Sequence, residues 1–132
     1  MEEKKTLTLE EVKLKAKNAI YTDDNIASLT EEIAEDLKEA LDVDDIMVFK
    51  HFSKRKGKWS VVYLRRMNSI KEVDMYTFES QTSPVSANKN LIKNLVVAGN
   101  EELLTEKMFV SSGLFMFASK IISDFTSEMD VF

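Results

Sequence analysis

The chain has 132 residues, 44% hydrophobic and 31% charged, with three Gly, one Pro and no Cys. This is the composition of a single globular domain, not of a disordered segment, and the lack of Cys excludes disulfides, thiolate metal sites and thiol nucleophiles together. The formal net charge of −5 conceals a split: the first 45 residues hold 14 acids and 6 bases, residues 46–71 hold eight bases and no acid, and the rest hold 9 acids and 4 bases.

From the N-terminus, Met-Glu-Glu-Lys-Lys leads into a polar amphipathic pattern without an apolar signal core. No run approaches the roughly 18 apolar residues of a membrane span. The expected location is therefore cytoplasmic, with no membrane partner. Thr8-Leu-Glu-Glu11 has the capping-box pattern, followed by Leu9, Val12, Ala16, Ala19 and Ile20 at helical spacing. Ser28-Leu-Thr-Glu31 repeats that pattern ahead of Ile33, Leu37 and Leu41, with Glu31, Glu32, Glu35, Asp36 and Glu39 mostly turned to water.

The hydrophobic period then becomes two. Ile46–Phe52 and Trp59–Arg66 are rich in β-branched and aromatic residues, and Gly57 suits the left-handed position of a hairpin loop. A loop of Arg55-Lys56-Gly57 would pair Lys54 with Lys58 and set Phe49 opposite Tyr63. One face would then carry Met47, Phe49, His51, Trp59, Val61 and Tyr63. The other would carry Ile46, Val48, Phe52, Val62 and Leu64. A two-stranded ribbon with two apolar faces must be covered or extended.

Ser69-Ile-Lys-Glu72 is a third capping-box match and would open a helix to about Glu79. Val73–Phe78 also reads as a third strand of a meander, and the sequence supports both. Pro84 begins a helix expected to reach about Ala98, with Leu91, Ile92, Leu95 and Val96 apolar and Gly99 as its stop. Asn100–Lys107 suggests a helical turn. A last helix from near Ser112 aligns Leu114, Ala118, Ile121 and Phe125, with the small Ala118 marking a close approach by another element. Residues 1–8 and 126–132 are expected to be loosely held, unless Phe132 docks. The predicted fold is α+β and mostly helical, one domain with N-terminal helices, a central hairpin and C-terminal helices.

The basic block comprises Lys50, Lys54, Arg55, Lys56, Lys58, Arg65, Arg66 and Lys71. With Trp59 at its centre, the hairpin is the foremost candidate binding site, for an acidic protein surface or, less favoured, for nucleic acid. Lysines at loop tips also discourage sheet aggregation. Phe115, Met116 and Phe117 make the first turns of the last helix apolar almost all round, a candidate hydrophobic interface.

No catalytic constellation is legible. His51 is the sole histidine, lacks HxH or HxxE spacing, and is expected to be structural. A calcium loop opening at Asp42 would need Gly and Glu where Met47 and Ser53 stand. Glu31/Glu32 and Glu101/Glu102 are adjacent on helices and do not face each other. No cofactor or metal is implied. The expectation is a non-enzymatic assembly factor or structural component acting through protein–protein contacts, with itself as one candidate partner. Its small, acidic, Cys-free character suggests a phage particle, which would place it in the host cytoplasm or the virion. The alternatives are a nucleic-acid-binding module using hairpin residues 50–66, and an inhibitor whose acidic helices (Glu31, Glu32, Glu35) imitate phosphates toward a host enzyme.

Overall fold

A computed structural model describes residues 7–67 and 69–129, with side chains through Asp124. The expectations for the extreme ends, Phe125 and Phe132 lie outside these described side chains. Among the described residues, six α-helices accompany one three-stranded antiparallel sheet, in the order predicted: helices, hairpin, helices. The chain divides into two compact units, Met1–Leu64 with Val97–Asn100 and Arg65–Val96 with Glu101–Phe132.

In the first unit, α1 (Leu9–Asn18) starts at the predicted capping box. The Glu11 N–H donates to Thr8 Oγ1 at 3.2 Å, and the Thr8 N–H donates to the Glu11 carboxylate at 3.1 Å. Such a cap contributes about 1 kcal/mol. The next helix, α2 (Ile26–Leu41), begins earlier than Ser28-Leu-Thr-Glu31 suggested. Thr22 and Asn25 exchange side-chain-to-backbone bonds at 3.2 and 2.7 Å, and so close the preceding turn themselves. Ser28 is left inside the helix, where its hydroxyl donates to the Asn25 carbonyl.

The apolar stripe of α2 behaves as read. Ile33, Ala34 and Leu37 are buried with Val12 and Ala16 of α1 against the sheet residues Val61, Tyr63 and Ala98. Burial of a side chain such as Leu37 or Ile33 stabilises by about 1.5–3 kcal/mol each. Asp42 ends α2 in the left-handed conformation, at φ 54°.

The hairpin strands are β1 (Ile46–Ser53) and β2 (Lys58–Arg65), leaving a four-residue loop. That corrects the predicted register. The Gly57 N–H donates to the Ser53 carbonyl at 2.7 Å with Gly57 at φ 64°, so Lys54 belongs to the turn and does not pair with Lys58. Because side chains alternate, a one-residue slip moves a whole strand's set to the other face. Ile46 and Val48 accordingly share the helix-covered core with Val61 and Tyr63, and the Phe52 and Trp59 rings meet at 5.3 Å.

The third strand is β3 (Val96–Gly99), with β2 central. It replaces two expectations at once: the Pro84 helix stops at Leu95, and residues 73–78 are not a strand. Gly99 is required here. It sits at φ 121°, and a Cβ would lie 2.4 Å from the Val61 carbonyl oxygen and 2.8 Å from Val62 Cα.

The second unit holds α3 (Ile70–Ser80), α4 (Pro84–Leu95), a 3-10 turn (Glu101–Leu104), α5 (Glu106–Ser111) and α6 (Leu114–Met129). Ser69 caps α3 through the Glu72 N–H, as the third capping match allowed. Leu91, Ile92 and Leu95 of α4 are buried, as are Leu103, Phe109, Leu114, Ala118 and Ile121. Leu114, Ala118 and Ile121 of the predicted α6 stripe are thus core, and α6 packs on α4.

Candidate functional site

The hairpin tip projects four bases, Lys54, Arg55, Lys56 and Lys58, all exposed, with Lys50 exposed in β1. The sequence forces this: a five-residue run holding four bases and one Gly has nothing to bury. Among the described residues, no ion pair involves Lys50, Lys54, Arg55 or Lys58. The acids of α2 are partly engaged elsewhere. Lys15 of α1 lies 2.8 Å from Asp36 and 3.5 Å from Glu32, and Lys38 lies 2.8 Å from Glu35. The bond to Asp36 holds the Lys15 ammonium above its ordinary pKa.

Trp59 is not a free stacking platform. Its indole N–H donates to Asp23 at 2.6 Å, and its ring is tilted against the partly exposed Phe52. Four residues further along β2, the Tyr63 hydroxyl shares a hydrogen bond of 2.8 Å with Tyr21. Burial raises both phenol pKa values, Tyr63 far more than Tyr21. Two residues of the α1–α2 connection, Tyr21 and Asp23, therefore hold it on β2. Composition gave no signal for either pair, since they join positions 42 and 36 residues apart.

The remaining bases of the block belong to the second unit. Arg65, at the end of β2 away from the loop, is half-buried and bonded to Glu72 of α3 at 2.8 Å. Arg66 is half-buried and Lys71 exposed. His51 is half-buried within β1.

Of the predicted interface on α6, Met116 is 66% exposed, while Phe115 and Phe117 are half-covered. Phe115 meets Phe109 at 6.4 Å, and the Lys120 ammonium stands 5.7 Å from the Phe117 ring centre. Much of the surplus apolar surface is thus used within the unit.

A surface that the sequence did not single out lies on α3. None of its residues is buried, and Ile70, Met75 and Phe78 are all exposed, Phe78 by 78%. Its covered side is mixed: Val73 is half-buried, Tyr76 donates to Asn88 of α4, Glu79 accepts from Asn90, and Met75 and Tyr76 line a small cavity with Leu91 and Leu95. Asn88 in turn donates to the Phe115 carbonyl at 3.3 Å. The helix leaves large apolar side chains outward, interspersed with the exposed Lys71 and Asp74, whereas α2 turns its own inward. Weak amphipathic patterning over residues 70–80 was the available sign.

A cavity of about 60 Å³ between α3 and α4, lined in part by Glu72, Glu79, Asn90 and Asn94, is far below the roughly 300–1,000 Å³ of small-molecule sites. A wider surface cleft sets Lys89 and Lys93 of α4 beside Glu101 and Glu106, so its charges offset one another. Among the described residues, no group of three or more His, Asp or Glu is placed to hold a metal ion. No helix among them is long and apolar enough to cross a membrane. Comparison with protein-family models finds no matching family, and comparisons with curated proteins and with solved structures find no similar chain.

Proposed function

We propose that this protein works by contact with other proteins, as a non-enzymatic assembly factor or structural component. The outward apolar side of α3 carries this reading. A helix that fully buries none of its residues while leaving Ile70, Met75 and Phe78 more than half exposed keeps much of their apolar area facing water. Large apolar side chains exposed together on one helix support a contact surface there, with Lys71 and Asp74 at its polar positions. A phage particle as the setting rests on composition alone and belongs to the same proposal.

The test is a photo-crosslinking residue at position 78, with exposed Ser86 of α4 as the control position. Protein adducts at 78 and few at 86 are expected in the cell that makes the chain. Equal or absent labelling at the two positions would remove the basis for the reading.

Nucleic-acid binding remains the second reading, favoured by the exposed Lys54, Arg55 and Lys58 beside Phe52. The Asp23 carboxylate at the Trp59 edge weighs against it, because it repels a phosphate where a base would stack. Were it correct, affinity for duplex DNA would fall with salt by a log–log slope near −0.9 per phosphate neutralised. Replacing Lys54 and Arg55 by Ala would flatten that slope by up to about two units.

A further inference from the structure

The first unit is electrically polar along β1, and the topology of the chain makes it so. The last turn of α2 and the connection that feeds β1 carry Glu39, Asp42, Asp44 and Asp45 with no base between them, and all four are exposed. The loop that leaves β1 carries Lys54, Arg55 and Lys56, with Lys58 opening β2, and no acid. Eight strand residues separate the two clusters, a span of about 25 Å at the usual rise per residue. Each end is offset only in part within the unit: the Asp23 carboxylate beside the tip is held by the Trp59 indole N–H, and Lys38 near Asp45 is bonded to Glu35. Each end also shows an apolar side chain, Val43 at 37% and Phe52 at 39% exposure.

From this geometry we infer that the two ends of the unit bind each other's copies, with the basic hairpin tip of one chain seated on the acidic α2–β1 turn of the next. The inference rests on the protein-contact reading and gives it a partner, a second copy of this chain. Charge complementarity of Lys54, Arg55 and Lys58 against Glu39, Asp42 and Asp44 selects that occupant, and Phe52 and Val43 add apolar area to a contact that exposed charges alone would hold weakly. The two patches differ, so the contact is head-to-tail. It propagates into an open array unless the rotation between neighbours closes a ring.

Light scattering on the intact chain tests this at about 0.01 M and 0.5 M salt, between which screening shortens the reach of exposed charges from about 30 Å to a few Å. The expected mass grows with concentration past that of two chains at low salt and returns to one chain at high salt. Reversing the tip (Lys54→Glu with Arg55→Glu) or the turn (Glu39→Lys with Asp44→Lys) should each weaken association at least about tenfold. All four positions are exposed, and unchanged circular dichroism verifies folding. An equimolar mixture of the two reversed proteins should regain assembly, as should the single chain carrying all four changes.

A one-chain mass for the wild type at low salt and at about 1 mM protein would overturn the inference. So would association that survives either reversal, or a fourfold reversal that restores nothing. So would a tip reversal that abolishes binding to DNA or RNA while leaving mass unchanged. Crosslinking at position 78 reports separately: a monomeric chain that still labels proteins there removes the head-to-tail contact and keeps the protein-contact reading.

Discussion

Helices α2 and α3 have opposite relations to their surroundings. α2 turns Ile33, Ala34 and Leu37 inward and exposes Glu31, Glu32, Glu35 and Glu39. α3 turns Tyr76 and Glu79 toward α4, where hydrogen bonds hold them, and exposes Ile70, Met75 and Phe78. α2 is therefore held chiefly by removal of apolar area from water. α3 is held by a cap, an ion pair, polar bonds to α4 and the half-buried side chains of Val73 and Tyr76, with none of its residues fully buried. Hydrogen bonds contribute about 0.5–1.5 kcal/mol each, net of those lost to water, so a helix fastened this way is the weaker of the two. Its apolar side chains are left available for a contact outside the unit.

The sharpest way to break this comparison is to remove a side chain from each helix. Leu37→Ala should cost about 2–5 kcal/mol, since the side chain is fully buried and leaves a cavity. Denaturant unfolding measures it, and a loss below about 0.5 kcal/mol would mean that α2 is not a core helix.

Alkaline pH gives an intermediate effect confined to the first unit. In the folded chain the Tyr63 hydroxyl titrates far above its usual value because it is buried, and Tyr21 is raised for the same reason. In the unfolded chain both ionise near pH 10. The folded state therefore binds more protons at high pH. The stability these groups contribute is fully present below about pH 10 and is lost as pH rises toward their folded pKa values. Lys15, also raised, acts in the same direction. Stability followed from about pH 8 to 11 should fall over the upper part of that range, and less steeply in Tyr63→Phe. At neutral pH, Tyr63→Phe should cost about 1 kcal/mol for the lost bond to Tyr21. Equal slopes in the two proteins would assign the alkaline loss to other groups.

The smallest expected change in stability is at the surface of α3. Phe78→Ser should alter it by no more than about 0.5 kcal/mol, because the side chain is exposed. Yet it should lower protein crosslinking from neighbouring α3 positions such as Met75. A loss comparable to that of Leu37→Ala would show that Phe78 serves the fold, and the contrast between the two helices would fail.

What was legible in the sequence was local. The Thr8–Glu11 box, the Ser69 cap and Pro84 at the first turn of α4 act through atoms within one turn, so short patterns specify them. The stripes of α2 and α6 were readable because helical spacing and burial agree there. The exposed basic tip was equally plain, since a dense run of like charge cannot be buried. The hairpin register was a narrower matter. A three-residue and a four-residue loop both satisfy Gly57, and only packing of Ile46 and Val48 beside Val61 and Tyr63 under the helices selects the second.

Tertiary structure decided the rest. Val73–Phe78 has strand-like composition yet forms a helix, because Ser69 starts one and α4 offers Asn88 and Asn90 to its polar side. Val96–Gly99 has the composition to finish a helix yet forms a strand. The central strand β2 presents an edge there, and Gly99 alone admits the close approach to Val61 and Val62. The pairs Tyr21–Tyr63 and Asp23–Trp59 likewise exist only once distant segments meet. Propensity and capping act over a few residues and a few tenths of a kcal/mol to about one. Burial and strand pairing act between segments far apart in the chain, and where the two conflict over a short stretch, the longer-range contacts prevail.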